Sequence, residues 1–207
     1  MKRIVPSHLV LLAIVAIVFA WSAWKPHDRL TWWLETMPAI VGAIVLCLTY
    51  TRFRFTTLVY TVIAIHMCIL CIGGHYTYAR VPFFDWLRPL FDWERNHFDR
   101  LGHFAQGFVP ALIARELFIR LEILNRTRWL PFLTICVCLA ISAFYEMIEW
   151  WAAALSKSAA VEFLATQGDV WDTQKDMLLA LFGAICALFF LAPWHRHALD
   201  RVAPHDR

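Results

Sequence analysis

No basic stripe with interleaved aromatics runs through this chain, and its formal net charge is only +3. Nucleic acid is therefore excluded as a partner, because binding its phosphates needs Lys and Arg clustered on one face. Charge of either sign is scarce, at 17% of 207 residues. No Walker loop, nucleophile elbow or His-Glu-x-x-His occurs, so the P-loop, α/β-hydrolase and zincin chemistries have no foothold. Ser142, Ser156 and Ser158 have no base beside them. No cysteine stands in a polar loop. Cys47, Cys68, Cys71, Cys136, Cys138 and Cys186 all lie inside apolar runs, which excludes a secreted disulfide framework. Cys68 and Cys71 share one helix face. They read as buried small hydrophobes, with redox or soft-metal chemistry as the alternative. No Gly-x-x-x-Gly pair occurs, although Gly42, Gly73, Gly74 and Gly183 mark candidate close contacts between helices.

What the chain has in excess is apolar surface. It is 60% hydrophobic, with a mean hydropathy of +0.56, against about 45–50% apolar in a soluble domain. A membrane helix needs about 20 mainly apolar residues, and six runs approach this: 9–24, 32–50, 57–73, 101–119, 129–151 and 175–194. Backbone polar groups in lipid must be paired within their own segment. The pattern therefore predicts one all-α domain over 1–207, a polytopic bundle of about six transmembrane helices. The second run is short enough that a re-entrant segment stays open. The first follows Lys2 and Arg3, as a signal peptide would. Its apolar stretch is too long for one, and Trp21 and Trp24 crowd the only cleavage site, near Ala20–Ser22; an uncleaved helix is expected.

Lys and Arg set the orientation. With the N-terminus in the cytoplasm, the inner side holds Lys2, Arg3, Arg52, Arg54, Arg115, Arg120, Arg126, Arg128, Arg196, Arg201 and Arg207. The outer side holds Lys25, Arg29, Arg80, Arg88, Arg95, Arg100, Lys157 and Lys175. Every inner loop agrees with this arrangement, and both termini are expected inside. Trp32, Trp33, Trp86, Trp93, Trp129, Trp150, Trp151, Trp171 and Trp194 fall near predicted helix ends, as interfacial belts do.

The acidic residues concentrate on the outer side, where they share helix faces. Asp99 and His103 are i,i+4 and Glu146 and Glu149 are i,i+3. Asp169, Asp172 and Asp176 would align if their segment is helical. Antiparallel neighbours bring these ends together, with His75 arriving at the same depth from the third helix. Ionisable groups in a membrane helix are costly and face a polar interior or a partner. A divalent metal relieves the crowding, and the ligand types suit Zn, Mn or Fe. His103, Glu149 and Asp172 are then the leading ligands, with Asp99, Asp176 and His75 as further ones, and Glu146 and Asp169 as candidate proton-transfer residues. Internal pairing with Arg80, Arg95, Arg100 and Lys175 relieves it equally well. Asp99 and Asp172 also fit ordinary helix N-termini. His66, deep in the third run, reads as a hydrogen-bonded buried histidine. Arg115 and Arg120 read as snorkelling to the inner surface. The 83–91 stretch reads as an amphipathic segment lying on the outer surface.

Four ordered blocks carry a resemblance. They are His75-Tyr76-Thr77-Tyr78, Asp99-Arg100-Leu101-Gly102-His103-Phe104-Ala105-Gln106-Gly107, Phe144-Tyr145-Glu146-Met147-Ile148-Glu149-Trp150-Trp151, and the run from Gln167 to Met177. Together they resemble the YjdF-like family of bacterial inner-membrane proteins across nearly the whole chain. The resemblance implies topology and an inner-membrane location, and assigns no reaction. Arg100 with His103, Glu149, and Asp176 with Gly183 are more loosely similar to the VanZ-like family. Three functions remain open. The first is metal-assisted hydrolysis or transfer on a lipid or envelope precursor at the periplasmic surface. The second is a scaffold or lipid-binding role with the acids fully salt-bridged. The third is cation or proton transport, for which only His66 lies deep enough.

Overall fold

The computed structural model describes residues 4–124, 127–155 and 166–202. Lys2, Arg3, Arg126, Ser156, Lys157, Ser158 and Arg207 lie outside them. All described secondary structure is helical: α1 (Pro6–Ser22), α2 (Arg29–Thr49), α3 (Thr57–Tyr76), α4 (Pro82–Phe91), α5 (Phe98–Arg120), α6 (Trp129–Leu155) and α7 (Asp172–Val202), the last with a π-helical turn at Ala187–Leu191. α2, α3, α6 and α7 are long and apolar enough to cross a membrane. α1 is apolar but shorter. α5 is long, but its Asp99, Arg100, Arg115, Glu116 and Arg120 make it more polar. The second run forms one continuous 21-residue helix through Pro38, long and apolar enough to cross a membrane.

Local chemistry explains where the helices begin and end. Asp28 caps α2, its side chain accepting from the Thr31 N–H at 2.7 Å. That bond holds the Asp28 carboxyl below the usual carboxylate range. Thr56 caps α3 in the same way through the Val59 N–H. α3 stops because Thr77 and Tyr78 both adopt positive φ, at 55° and 54°. That turn swings the Tyr78 ring back between α3 and α5, against Gly73 and Gly102.

α1 and α2 both pack on α3, while α5 packs on α3, α6 and α7. The α5–α7 crossing is the closest. A Cβ at Gly107 would lie 1.7 Å from the Ala180 carbonyl oxygen, and one at Gly183 would lie 2.0 Å from that of Phe104. The two backbones touch, as small residues allow in membrane bundles, although the glycines stand on different helices and form no motif along the chain. Gly107→Val forces the helices apart. The expected cost is about 1–3 kcal/mol, seen as a lower melting temperature in detergent, whereas Gly168→Val, with open space around it, leaves the α5–α7 crossing as it is.

Trp33, Trp86, Trp129, Trp150, Trp151, Trp171 and Trp194 are exposed, in keeping with interfacial belts. Trp32 is not. It is 2% exposed, and its Nε1 donates to Ser22 Oγ at 3.1 Å, tying α1 to α2. α4 presents Phe83, Trp86, Leu90 and Phe91 outward, the amphipathic surface helix expected of this stretch. Its Asp85 accepts from Asn96 Nδ2 at 3.0 Å, which holds α4 to the start of α5.

Candidate functional site

Successive helices alternate in direction. The starts of α5 and α7 therefore meet the ends of α3 and α6 at one end of the bundle, called distal here. The start of α1 and the end of α7 lie at the other, proximal end. α5 and α7 each place an acid in the first turn, Asp99 and Asp172, where the helix dipole favours negative charge.

His103 is the centre of the distal site. It is 6% exposed. Its Nε2 lies 3.4 Å from Asp99 Oδ1 and 3.8 Å from Asp176 Oδ2. Its Nδ1 lies 3.7 Å from Glu146 Oε1 and 3.1 Å from Gln106 Oε1. Two sets of ligand atoms, Asp99–His103–Asp176 and His103–Glu146–Glu149, each fall within 4.8 Å of one another, and all five residues are buried. Glu146 Oε1 and Asp176 Oδ1 are buried with no hydrogen-bond partner among the described residues. A buried carboxylate oxygen left this way is costly, and both belong to residues that face the same histidine.

Around this core runs a salt-bridged shell. Arg95 hydrogen-bonds Asp172 and pairs with Asp99 at 3.4 Å. Asp169 lies between Arg95, Arg100 and Lys175, with Lys175 Nζ at 2.5 Å. That lysine holds the Asp169 carboxyl below the usual range. The sign follows from the depressed value. The contribution of Asp169 is present above its unfolded pKa, near 4, and fades as pH falls through the lower folded value. Asp169→Asn is expected to lower the melting temperature slightly near pH 7, where the contribution is present, and to match the wild type at acid pH, so that the acid limb of the profile flattens.

Internal pairing and buried carboxylate oxygens without a hydrogen bond among the described residues therefore coexist, with Asp99 shared between the shell and the core. The structure brings together His103, Glu149, Glu146, Asp99 and Asp176. Asp172 stands in the next layer, on Arg95. Asp169 does not share a helix face with Asp172 and Asp176, because α7 begins only at Asp172, and its partners keep it in the shell. His75 is absent from the cluster. Its Nδ1 contacts the Ser22 carbonyl at 2.9 Å, and its ring stacks on Trp21 at 4.5 Å, which joins α3 to the end of α1. His66 lacks the expected hydrogen bond, since its buried Nε2 has no partner among the described residues.

Sequence reasoning missed Glu35. It is 5% exposed on α2 and accepts from the Tyr145 hydroxyl at 3.2 Å, beside Glu146. A lone acid inside the second apolar run was the available signal.

A second buried network occupies the proximal end. Glu116 is fully buried. It accepts from the Thr56 N–H at 2.9 Å and the Thr56 hydroxyl at 2.8 Å, pairs with Arg120 at 2.8 Å and meets His195 Nε2 at 3.0 Å. Arg115 reaches His195 Nδ1 at 2.8 Å. Arg115 and Arg120 therefore turn inward rather than snorkelling, because Glu116 supplies a buried partner. Every member is bonded, so this network reads as a clamp between α3, α5 and α7.

A family profile described as "Predicted membrane protein (DUF2238)" matches residues 7–197. The chain is 45% identical over 187 residues, 90% of each chain, to "Inner membrane protein YjdF" of Escherichia coli (strain K12). No solved structure matches. All four blocks that carry the resemblance fall within the matched region.

Proposed function

This chain belongs to the DUF2238 family of predicted membrane proteins, and on that premise we propose that it is a divalent-cation-binding protein of the bacterial inner membrane. Its relative's name supports the location. The Lys and Arg distribution supports six spans with both termini cytoplasmic, which turns the distal site to the periplasm. α1 and α5 then complete the six, α5 being tolerated because its charges sit at its two ends and face protein.

The observation that carries the reading is the pair of buried oxygens with no hydrogen-bond partner among the described residues, Glu146 Oε1 and Asp176 Oδ1, on residues that flank buried His103. Asp99, Asp176 and Glu149 then supply a donor set of one imidazole and three carboxylates, which suits Zn, Mn or Fe, with Glu146 on the Nδ1 side of the ring outside it. Gln106 holds the imidazole, as outer partners of metal-bound histidines do. The activity this supports best is metal-assisted hydrolysis or group transfer on a lipid headgroup or envelope precursor. A divalent ion there would polarise a phosphoryl or acyl oxygen or activate a water. Glu146, whose Oε1 has no hydrogen-bond partner among the described residues, is the proton-transfer residue. Glu35, held by Tyr145, supports that side of the site. Asp169 now belongs to the shell that fixes Asp172 and Arg95.

Elemental analysis of chelator-treated, reloaded protein tests the binding. About one equivalent of a transition metal, lost in both His103→Ala and Glu149→Ala, is the expected result. No metal in the wild type overturns it. The reaction has its own test. Cells carrying Glu146→Gln should accumulate the same lipid or envelope precursor as cells lacking the protein, although the variant still loads metal. A wild-type lipid and precursor profile in that variant removes the enzyme reading.

His66 favours a second reading, cation passage, because its bare Nε2 lies deeper in the bundle on α3. Ion flux in proteoliposomes that disappears with His66→Ala would favour transport over catalysis.

A further inference from the structure

The proximal half of the bundle contains a groove that the distal site does not use. α1 and α2 both lean on α3, and between them lies a cavity of about 320 Å³. Its walls include Leu12 and Val15 from α1, Ala43 and Cys47 from α2, and Met67 from α3. Leu12 and Cys47 are themselves exposed, so the groove opens sideways, towards the acyl chains of a surrounding bilayer. From His8 to Val15, or from Tyr50 back to Ala43, it runs about two helical turns, roughly 10 Å. One leaflet's hydrocarbon is about 15 Å deep, half of a 30 Å core, so the groove stays within a single leaflet.

Its mouth is built differently from its walls. His8 Nδ1 contacts the Tyr50 hydroxyl at 2.8 Å, and His8 Nε2 contacts Thr57 Oγ1 at 3.0 Å. The Tyr60 hydroxyl is buried beside them with no hydrogen-bond partner among the described residues. Arg52 is exposed on the turn that follows Tyr50, and the Arg54 guanidinium lies 5.9 Å from the Tyr50 ring centroid. An apolar slot one leaflet deep, closed by hydroxyls and flanked by two arginines, has the chemistry of a phospholipid with an anionic headgroup.

We propose that this groove binds one anionic phospholipid from the cytoplasmic leaflet, with an acyl chain between α1 and α2 and the phosphate at Arg52 and Arg54. The site is separate from the His103 cluster, and only its assignment to the cytoplasmic leaflet rests on the orientation proposed above.

Native mass spectrometry of the delipidated full chain tests it, with phosphatidylglycerol and phosphatidylcholine as probes. The expected result is one tightly held lipid and about tenfold preference for phosphatidylglycerol. Cys47→Trp and Leu12→Trp fill the groove from opposite walls, and each should lose the tight lipid while keeping its melting temperature in detergent. If one variant fails to fold, the other carries the test. The double variant Arg52→Gln with Arg54→Gln should still hold a lipid but lose the headgroup preference. Equal lipid counts and preferences across all variants would show an ordinary annular shell and overturn the proposal. So would a wild-type dimer that disappears in Cys47→Trp, because a second copy would then occupy the groove.

Discussion

His103→Ala is expected to abolish metal retention, with a loss of affinity beyond about 100-fold. The imidazole is the common member of both ligand sets, so removing it dissolves each at once. Asp172→Asn provides the calibrating comparison. Asp172 touches the site through Arg95 and not directly, so its loss should weaken binding by about 10–100-fold, the range for outer partners of metal ligands. Titration of a competing chelator against both variants measures the difference. Equal losses would mean that His103 organises the cluster rather than ligating, and the pairing of Arg95 would become the feature to explain.

Glu116→Ala is expected to be the most destabilising single change in the chain. It removes the acceptor shared by Thr56, Arg120 and His195, leaving the fully buried His195 and the half-buried Arg120 without their carboxylate. Breaking a buried ion pair by removing one partner costs about 3–5 kcal/mol. That is a large share of the 5–15 kcal/mol that separates folded from unfolded in an ordinary domain. The expected readout is a sharp fall in recovered folded protein, with protease cleavage beginning at the end of α7, where His195 is no longer held. Arg120→Met is a milder companion. It leaves His195 and Thr56 to satisfy Glu116, so it should cost less and leave the end of α7 docked.

These two sites differ in how far the sequence revealed them. The distal cluster was visible because its members come in helical pairs, i,i+4 for Asp99 and His103 and i,i+3 for Glu146 and Glu149. Pairs of that kind share a face wherever the helix is placed. Asp169 misled because its inclusion assumed a helix starting three residues earlier than α7 does. His75 misled because depth alone does not give azimuth. It reaches the correct height, but its ring faces α1. Glu35 and the Glu116–His195 contact could not be read from spacing, since each joins residues about 80 to 110 positions apart. Arg115 and Arg120 fit the end of any membrane helix, and only the approach of α7 shows that they turn inward. The helical architecture was legible from hydropathy alone. The α5–α7 contact was not, because Gly107 and Gly183 meet across helices rather than along one.

That contact constrains what the distal site can select. With the α5 and α7 backbones touching at Gly107 and Gly183, one turn from His103 and two from Asp176, the main chains that carry these two residues are held close together. α6, which brings Glu146 and Glu149, has no such glycine contact among the described residues. The expected consequence for the proposed metal site is selection by ionic radius, with α5 and α7 as the stiffer walls and α6 as the more adjustable one. A small transition-metal ion would be gripped from all three sides, whereas calcium, which prefers longer bonds to oxygen and more of them, would have to push α6 outward.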